Sequence, residues 1–164
     1  MPPVTVTFEL QLRVGDEWID VGEEQLSLEQ HQEAIERQDV LEGSIVIEVA
    51  GQPRFEAGDE LWAAVQNLCF RAVEELSAGD TACWVYTATS TDSHVVVLPM
   101  ATQLRLLSEY SSPLTAPRES LLTELLACGE RFLELLARLG DDQRPSAEQL
   151  RPYAERARTA LGKA

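Results

Sequence analysis

The 164-residue chain contains no apolar run approaching the roughly 18–20 residues that span a bilayer, so no membrane helix is expected. Its first residues, Met1-Pro2-Pro3-Val4, offer neither a basic stretch nor an apolar one, and no secretory signal is read there. Histidine and cysteine are scarce, two and three residues respectively. Cys69, Cys83 and Cys128 form no CxxC and no Cys/His pair at metal spacing. The odd cysteine count without a signal points to a reducing cytoplasm, with free thiols packed as small hydrophobes.

Catalytic fingerprints are missing too. There is no P-loop, GxGxxG, GxSxG or HExxH. His94 follows Asp92 and Ser93 in one turn, where adjacent residues cannot converge as a Ser/His/Asp set does. His31 lies among Glu29, Glu33 and Glu36, without the further His or Cys ligands that zinc requires. The pairs Asp16-Glu17, Glu23-Glu24 and Asp59-Glu60 do not follow calcium-loop spacing. The expectation is a protein that is not an enzyme, with no catalytic residue, no metal and no cofactor.

Positive charge is the other shortage. Lys and Arg number 13 against 28 Asp and Glu, a formal net charge of −15. Residues 1–60 hold 15 acidic and 3 basic side chains, whereas residues 101–164 hold 9 of each. An acidic N-terminal pole repels nucleic acid and anionic membranes and speeds encounter with a basic protein. Solubility alone is the competing explanation of the same charge.

What is present is an ordinary globular composition, 45% hydrophobic and 25% charged. Val4, Val6, Phe8, Leu10, Leu12 and Val14 alternate with Thr5, Thr7, Glu9, Gln11 and Arg13, which predicts a strand with one buried and one wet face. Gly15-Asp16-Glu17 turns the chain into a returning strand, Trp18-Ile19-Asp20-Val21. The acidic segment 22–43 reads either as a short helix capped by Ser27, with Leu28, Ile35 and His31 inward, or as a loop. Ile45 to Val49 is a strand, and Arg54-Phe55-Glu56 a brief return.

Asp59 is the expected N-cap of a helix in which Leu61, Trp62, Val65, Leu68, Cys69, Ala72, Val73 and Leu76 recur at helical spacing up to Gly79. Strands are expected over 81–89, after a turn at Ser90-Thr91-Asp92-Ser93 over 94–100 with Pro99 at its end or edge, and over 102–108. Trp62 and Trp84 are placed in the core between helix and sheet. Residues 111–117 read as a connector, and 117–139 as a long Leu-rich helix, apolar enough to need covering on two sides. A last helix over 146–161 begins with Ser146 and Gln149 as a capping box, with Pro152 bending or restarting it. The fold class is therefore α+β: an antiparallel β-sheet with helices packed on one face and a C-terminal helical pair. Residues 1–140 are expected to form one domain, with 141–164 a linker and helix packed on it.

The hairpin Val4-Thr5-Val6-Thr7-Phe8-Glu9-Leu10-Gln11-Leu12, the helix Leu61-Trp62-Ala63-Ala64-Val65-Gln66-Asn67-Leu68 ending at Gly79, and the strands at Trp84-Val85-Tyr86 and Val95-Val96-Val97 together resemble small bacterial immunity-type proteins. The likeness covers about residues 4–107. The strand Ala82-Cys83-Trp84-Val85-Tyr86 departs from that pattern by lacking its acidic–aromatic signature, and 22–43 reads as an insertion. The resemblance implies a non-catalytic antagonist that neutralises a polymorphic or contact-delivered toxin by binding it, and it identifies no site residue.

From the charge pattern, the expected partner surface is Asp16, Glu17, Trp18, Asp20, Glu23 and Glu24, an acidic rim around one aromatic anchor. The expected partner is a basic protein, not nucleic acid or a membrane. Three other readings stay open: a DNA-mimicking inhibitor of a nucleic-acid-binding protein, an acidic chaperone for a secreted protein that dimerises through the Leu-rich helix 117–139, and an enzyme whose site carries no recognised motif.

Overall fold

A computed structural model describes residues 3–89, 91–140 and 144–162. Ser90 of the expected turn, residues 141–143 of the expected linker, and the terminal pairs 1–2 and 163–164 lie outside the described residues. The order is β1 (Val4–Val14), β2 (Glu17–Gly22), a 3-10 turn at Glu23–Gln25, α1 (Leu28–Glu36), β3 (Glu42–Val49) and β4 (Phe55–Glu60). One helix follows over 61–78. Its ends are α2 (Leu61–Ala64) and α3 (Ala72–Ala78), and its middle, Val65–Arg71, is π-helical. Then come β5 (Cys83–Tyr86), β6 (His94–Met100), β7 (Gln103–Leu107), β8 (Leu114–Pro117), α4 (Arg118–Arg138) and α5 (Arg144–Ala160).

The class is α+β, as the pattern predicts, with the C-terminal pair α4 and α5. The strands divide into two sheets where the pattern suggested one. Sheet A has the order β2-β1-β3-β4 and sheet B the order β5-β6-β7-β8, both antiparallel throughout. The division follows from the 61–78 helix, which carries the chain away from β4, so that the later strands pair among themselves.

Helices line one face of each sheet. Helix α4 lies against β1 of sheet A and against β7 and β8 of sheet B, with α5 and the 61–78 helix packed beside it. One contiguous core runs from Val6 to Ala157 and takes in Leu121, Leu125, Phe132 and Leu136 of α4. Phe8 meets Phe132 edge to face, with ring centroids 5.6 Å apart, joining β1 to α4. Helix α4 crosses the π-helical stretch at Gly129, where a Cβ would run into the Phe70 ring and Cys69.

Several boundaries differ from the expectation, each for a local reason. Asp59 does not cap the 61–78 helix. It lies in β4, and the first N–H of the helix, that of Leu61, donates to the carbonyl of Leu41 at 2.9 Å. Strand β4 extends to Glu60 because Gly58 permits close approach to β3, where a Cβ would overlap the Gly43 carbonyl oxygen. The segment expected as a connector contains β8, paired with β7. Helix α5 begins at Arg144, so Ser146 and Gln149 lie inside it, and it runs through Pro152 without restarting.

Residues 28–36 are helical, with Ile35 buried. Ser27 holds the N-cap position without a side-chain bond; His31 Nδ1 accepts its N–H at 3.1 Å instead. Pro99 pairs with Leu104 at a point on β6 that β5 no longer reaches, since β5 starts at Cys83 opposite Val97, so its missing N–H breaks no ladder.

Candidate functional site

The alternation in β1 and β2 decides what each site residue faces. Gly15, at φ 63°, opens the two-residue turn Gly15-Asp16, and the register sets Val14 opposite Glu17, Arg13 opposite Trp18, Leu12 opposite Ile19 and Gln11 opposite Asp20. Leu10, Leu12 and Val21 point to the core. Trp18 and Asp20 share the opposite face with Glu9 and Arg13 of β1, Glu48 of β3 and Glu56 of β4. This outer face of sheet A holds a shallow cleft of about 270 Å³ in which Glu9, Asp20, Glu24 and Glu48 converge. Arg54, which also lines it, bonds Glu9 at 2.9 Å and Glu56 at 2.8 Å, and its own proton is held more tightly by Glu9 against the cost of burial.

The six expected site residues do not all join this face. Trp18 is 53% exposed. Asp16 sits at the tip of the turn, 3.8 Å from Arg13. Asp20 and Glu24 are exposed, with no ion pair or hydrogen bond from their side chains among the described residues. Glu17 is free as well but belongs to the other row, with Val14 and Ile19. Glu23 is drawn inward. Its carboxylate accepts from Arg131 Nε and, at 3.3 Å, from the Phe8 N–H, while Arg131 Nη2 donates to the Val6 carbonyl at 2.7 Å. Strand β2 has ended by then, so this ion pair does for Val6 and Phe8 what a neighbouring strand residue would do. Glu23 is a structural staple. Composition could not separate it from Glu24; only the placement of α4 does.

Sheet B presents a different outer face. Cys83, Val85, Val95 and Val97 point inward, and Trp84, Tyr86, His94, Val96, Leu98 and Met100 outward. Trp84 is 64% exposed, Tyr86 53% and Met100 45%, and the His94 ring stacks on Trp84 at 4.7 Å. The expectation that Trp84 lies in the core is corrected: the helix-covered side of β5 takes the small Cys83 and Val85. Trp62 is half-buried. These outward aromatics were missed because both rows of residues 82–86 are apolar. The available signal was the smaller size of one row.

The Leu-rich helix turns its leucines into the chain's own core. Leu121, Leu122, Leu125, Leu126, Leu135 and Leu136 are all buried within the chain, and the exposed positions of α4 are Glu119, Glu134, Ala137 and Arg138.

The chain matches no family model, no curated protein and no solved structure.

The described residues contain no group of three or more His, Cys, Asp or Glu placed to hold a metal ion. All three cysteines are buried and free. Burial, reinforced by the neighbouring Glu75, pushes the Cys83 thiol up to about 12, and burial beside Cys128 pushes Cys69 well above its ordinary value. Neither is ionised near neutrality, which leaves both poor nucleophiles. His94 Nδ1 lies 2.8 Å from the Asp92 backbone carbonyl, so no carboxylate orients the ring. No helix among the described residues is long and apolar enough to cross a membrane.

Proposed function

We propose that this is a non-catalytic binding protein that captures a basic protein through the Trp18 hairpin and the acidic outer face of sheet A. One observation carries the reading: a half-exposed tryptophan shares the outer face of sheet A with Asp20, and the side chains of Asp20, Glu17 and Glu24 have no partner among the described residues. An exposed Trp supplies anchor area, and unpaired carboxylates supply steering and selectivity for cations. Neutralising a basic toxin, as the resemblance to immunity-type proteins implies, is the specific form of this function, with the cytoplasm as its place of action.

The test is capture. Tagged protein, incubated with nuclease-treated lysate of the native organism, retains a basic protein at low salt and releases it at high salt. The combined variant D16K/E17K/D20K/E24K retains at least about tenfold less. Equal retention by that variant removes the site, and retention of acidic or neutral proteins alone removes the reading.

The outer face of sheet B favours a second reading, an apolar client held as a chaperone holds one. Exposed Trp84, Tyr86 and Met100 are the observation behind it. A partner lost on Trp84→Ala but kept by the charge-reversed variant selects this reading over the first.

A further inference from the structure

We infer that the outer edge of β2 receives an extended basic segment of the partner as a fifth strand of sheet A. The inference rests on the acidic-face reading above and adds the mode of recognition. Each other sheet edge in the described structure carries at least one side-chain hydrogen bond. Glu23 and Arg131 close β1 beyond the end of β2. Ser111 Oγ takes the Glu56 N–H at 3.0 Å and donates to its carbonyl at 3.3 Å, closing β4. The Gln52 amide bonds both the carbonyl and the N–H of Thr115 on β8, at 2.6 and 2.9 Å. Asn67 Nδ2 donates to the Tyr86 carbonyl of β5 at 2.8 Å. Strand β2 has no such partner on its outer side among the described residues.

The register says which groups are open. With a two-residue turn, Val14 and Glu17 form a hydrogen-bonded pair, as do Leu12 with Ile19 and Leu10 with Val21. Trp18 and Asp20 therefore turn their N–H and C=O groups away from β1. The same parity explains why Phe8 N–H and Val6 C=O emerge on the β2 side of β1, where Glu23 and Arg131 meet them.

Charge selects the occupant. A second copy of this chain would set Glu17 and Asp20 near their own counterparts, and like charges across strands destabilise pairing. A basic strand reverses the sign of each contact. The two faces of the edge specify the segment further: Trp18 and Asp20 lie on one side and partly exposed Ile19 on the other. The fitting sequence alternates Lys or Arg with aliphatic residues.

The probe is the peptide acetyl-Lys-Val-Arg-Val-Lys-Val-Arg-amide, added to the full chain at low salt. Binding slows amide hydrogen exchange at Trp18 and Asp20 by at least about tenfold. Asp20→Pro, which removes an outward N–H without breaking a β1–β2 bond, weakens the peptide by at least about tenfold more than Asp20→Asn, which removes only the charge. If Asp20→Pro does not fold, the exchange measurement on the unaltered chain decides. A peptide that binds while exchange at Trp18 and Asp20 stays unchanged overturns strand addition and leaves the acidic-face reading standing. A peptide that does not bind at all overturns strand addition as well, while the acidic-face reading falls only if capture survives in D16K/E17K/D20K/E24K.

Discussion

Sheet A and sheet B each have four antiparallel strands and each lay one face on the same helices, yet they turn different surfaces outward. Asp20, Glu9, Glu48 and Glu56 line the outer rows of one; Trp84, Tyr86, Val96 and Met100 line those of the other. In β1 the two rows differ in polarity, so the hydrophobic effect chooses the buried row without help. In β5 both rows are apolar, and the choice falls to the space left by the 61–78 helix. An apolar residue in a strand thus reports burial only when its neighbours in the alternate row are polar. Where they are not, the larger side chain is free to be the outward one, and an exposed apolar surface results.

The sharpest way to break this comparison is at its backbone. Strands β1, β3 and β4 approach so closely at Gly43 and Gly58 that a methyl group at either meets a main-chain atom. Gly43→Ala or Gly58→Ala should cost about 3 kcal/mol or more in urea unfolding. Gly22→Ala, with open space around it, should cost less than about 1 kcal/mol. Equal effects at the three positions would falsify the tight-sheet account.

Next in size is the contrast between two adjacent glutamates. Glu23→Gln or Arg131→Ala leaves Phe8 N–H or Val6 C=O without its charged partner, at a cost of about 2–3 kcal/mol. Glu24→Gln should stay within about 0.5 kcal/mol, because Glu24 has no partner to lose. A cost at Glu24 matching that at Glu23 would return both residues to one surface role.

Trp84→Ser asks the same question of sheet B. An outward Trp84 changes stability by less than about 1 kcal/mol, whereas a core tryptophan costs about 3–5 kcal/mol on truncation. Thermal or chemical denaturation separates the two, and a large loss places the ring back inside.

The smallest expected stability effect belongs to the hairpin. D16K/E17K/D20K/E24K should leave the denaturation midpoint nearly in place, within about 1 kcal/mol, while removing capture of a basic protein. Loss of fold in this variant would show these carboxylates to be structural, as Glu23 is.

Much of the architecture was legible. The alternation of Val4 to Val14, the helical spacing from Leu61 to Leu76 and the run of leucines after Leu121 each match an observed element. These segments show because one period dominates over many residues. Residues 114–117 and 57–60 did not read as strands, being short and rich in Thr, Pro, Gly and acidic residues; pairing with β7 and β3 makes them strands. Of the six hairpin positions, the exposure of Trp18, Asp16, Glu17, Asp20 and Glu24 followed from turn and charge. The role of Glu23 required Arg131, 108 residues away in the chain.

By itself, the sequence determined the α+β class, the acidic N-terminal pole and the inward row of β1, because periodicity and charge are local properties of the chain. Only the tertiary structure decided that the strands form two sheets, that Glu23 is a staple while Glu24 is free, that the leucines of α4 are consumed within one chain, and that Trp84 faces outward. Each of these turns on which distant group reaches a site first: a guanidinium against an orphaned strand edge, or a helix against one face of a sheet that is apolar on both.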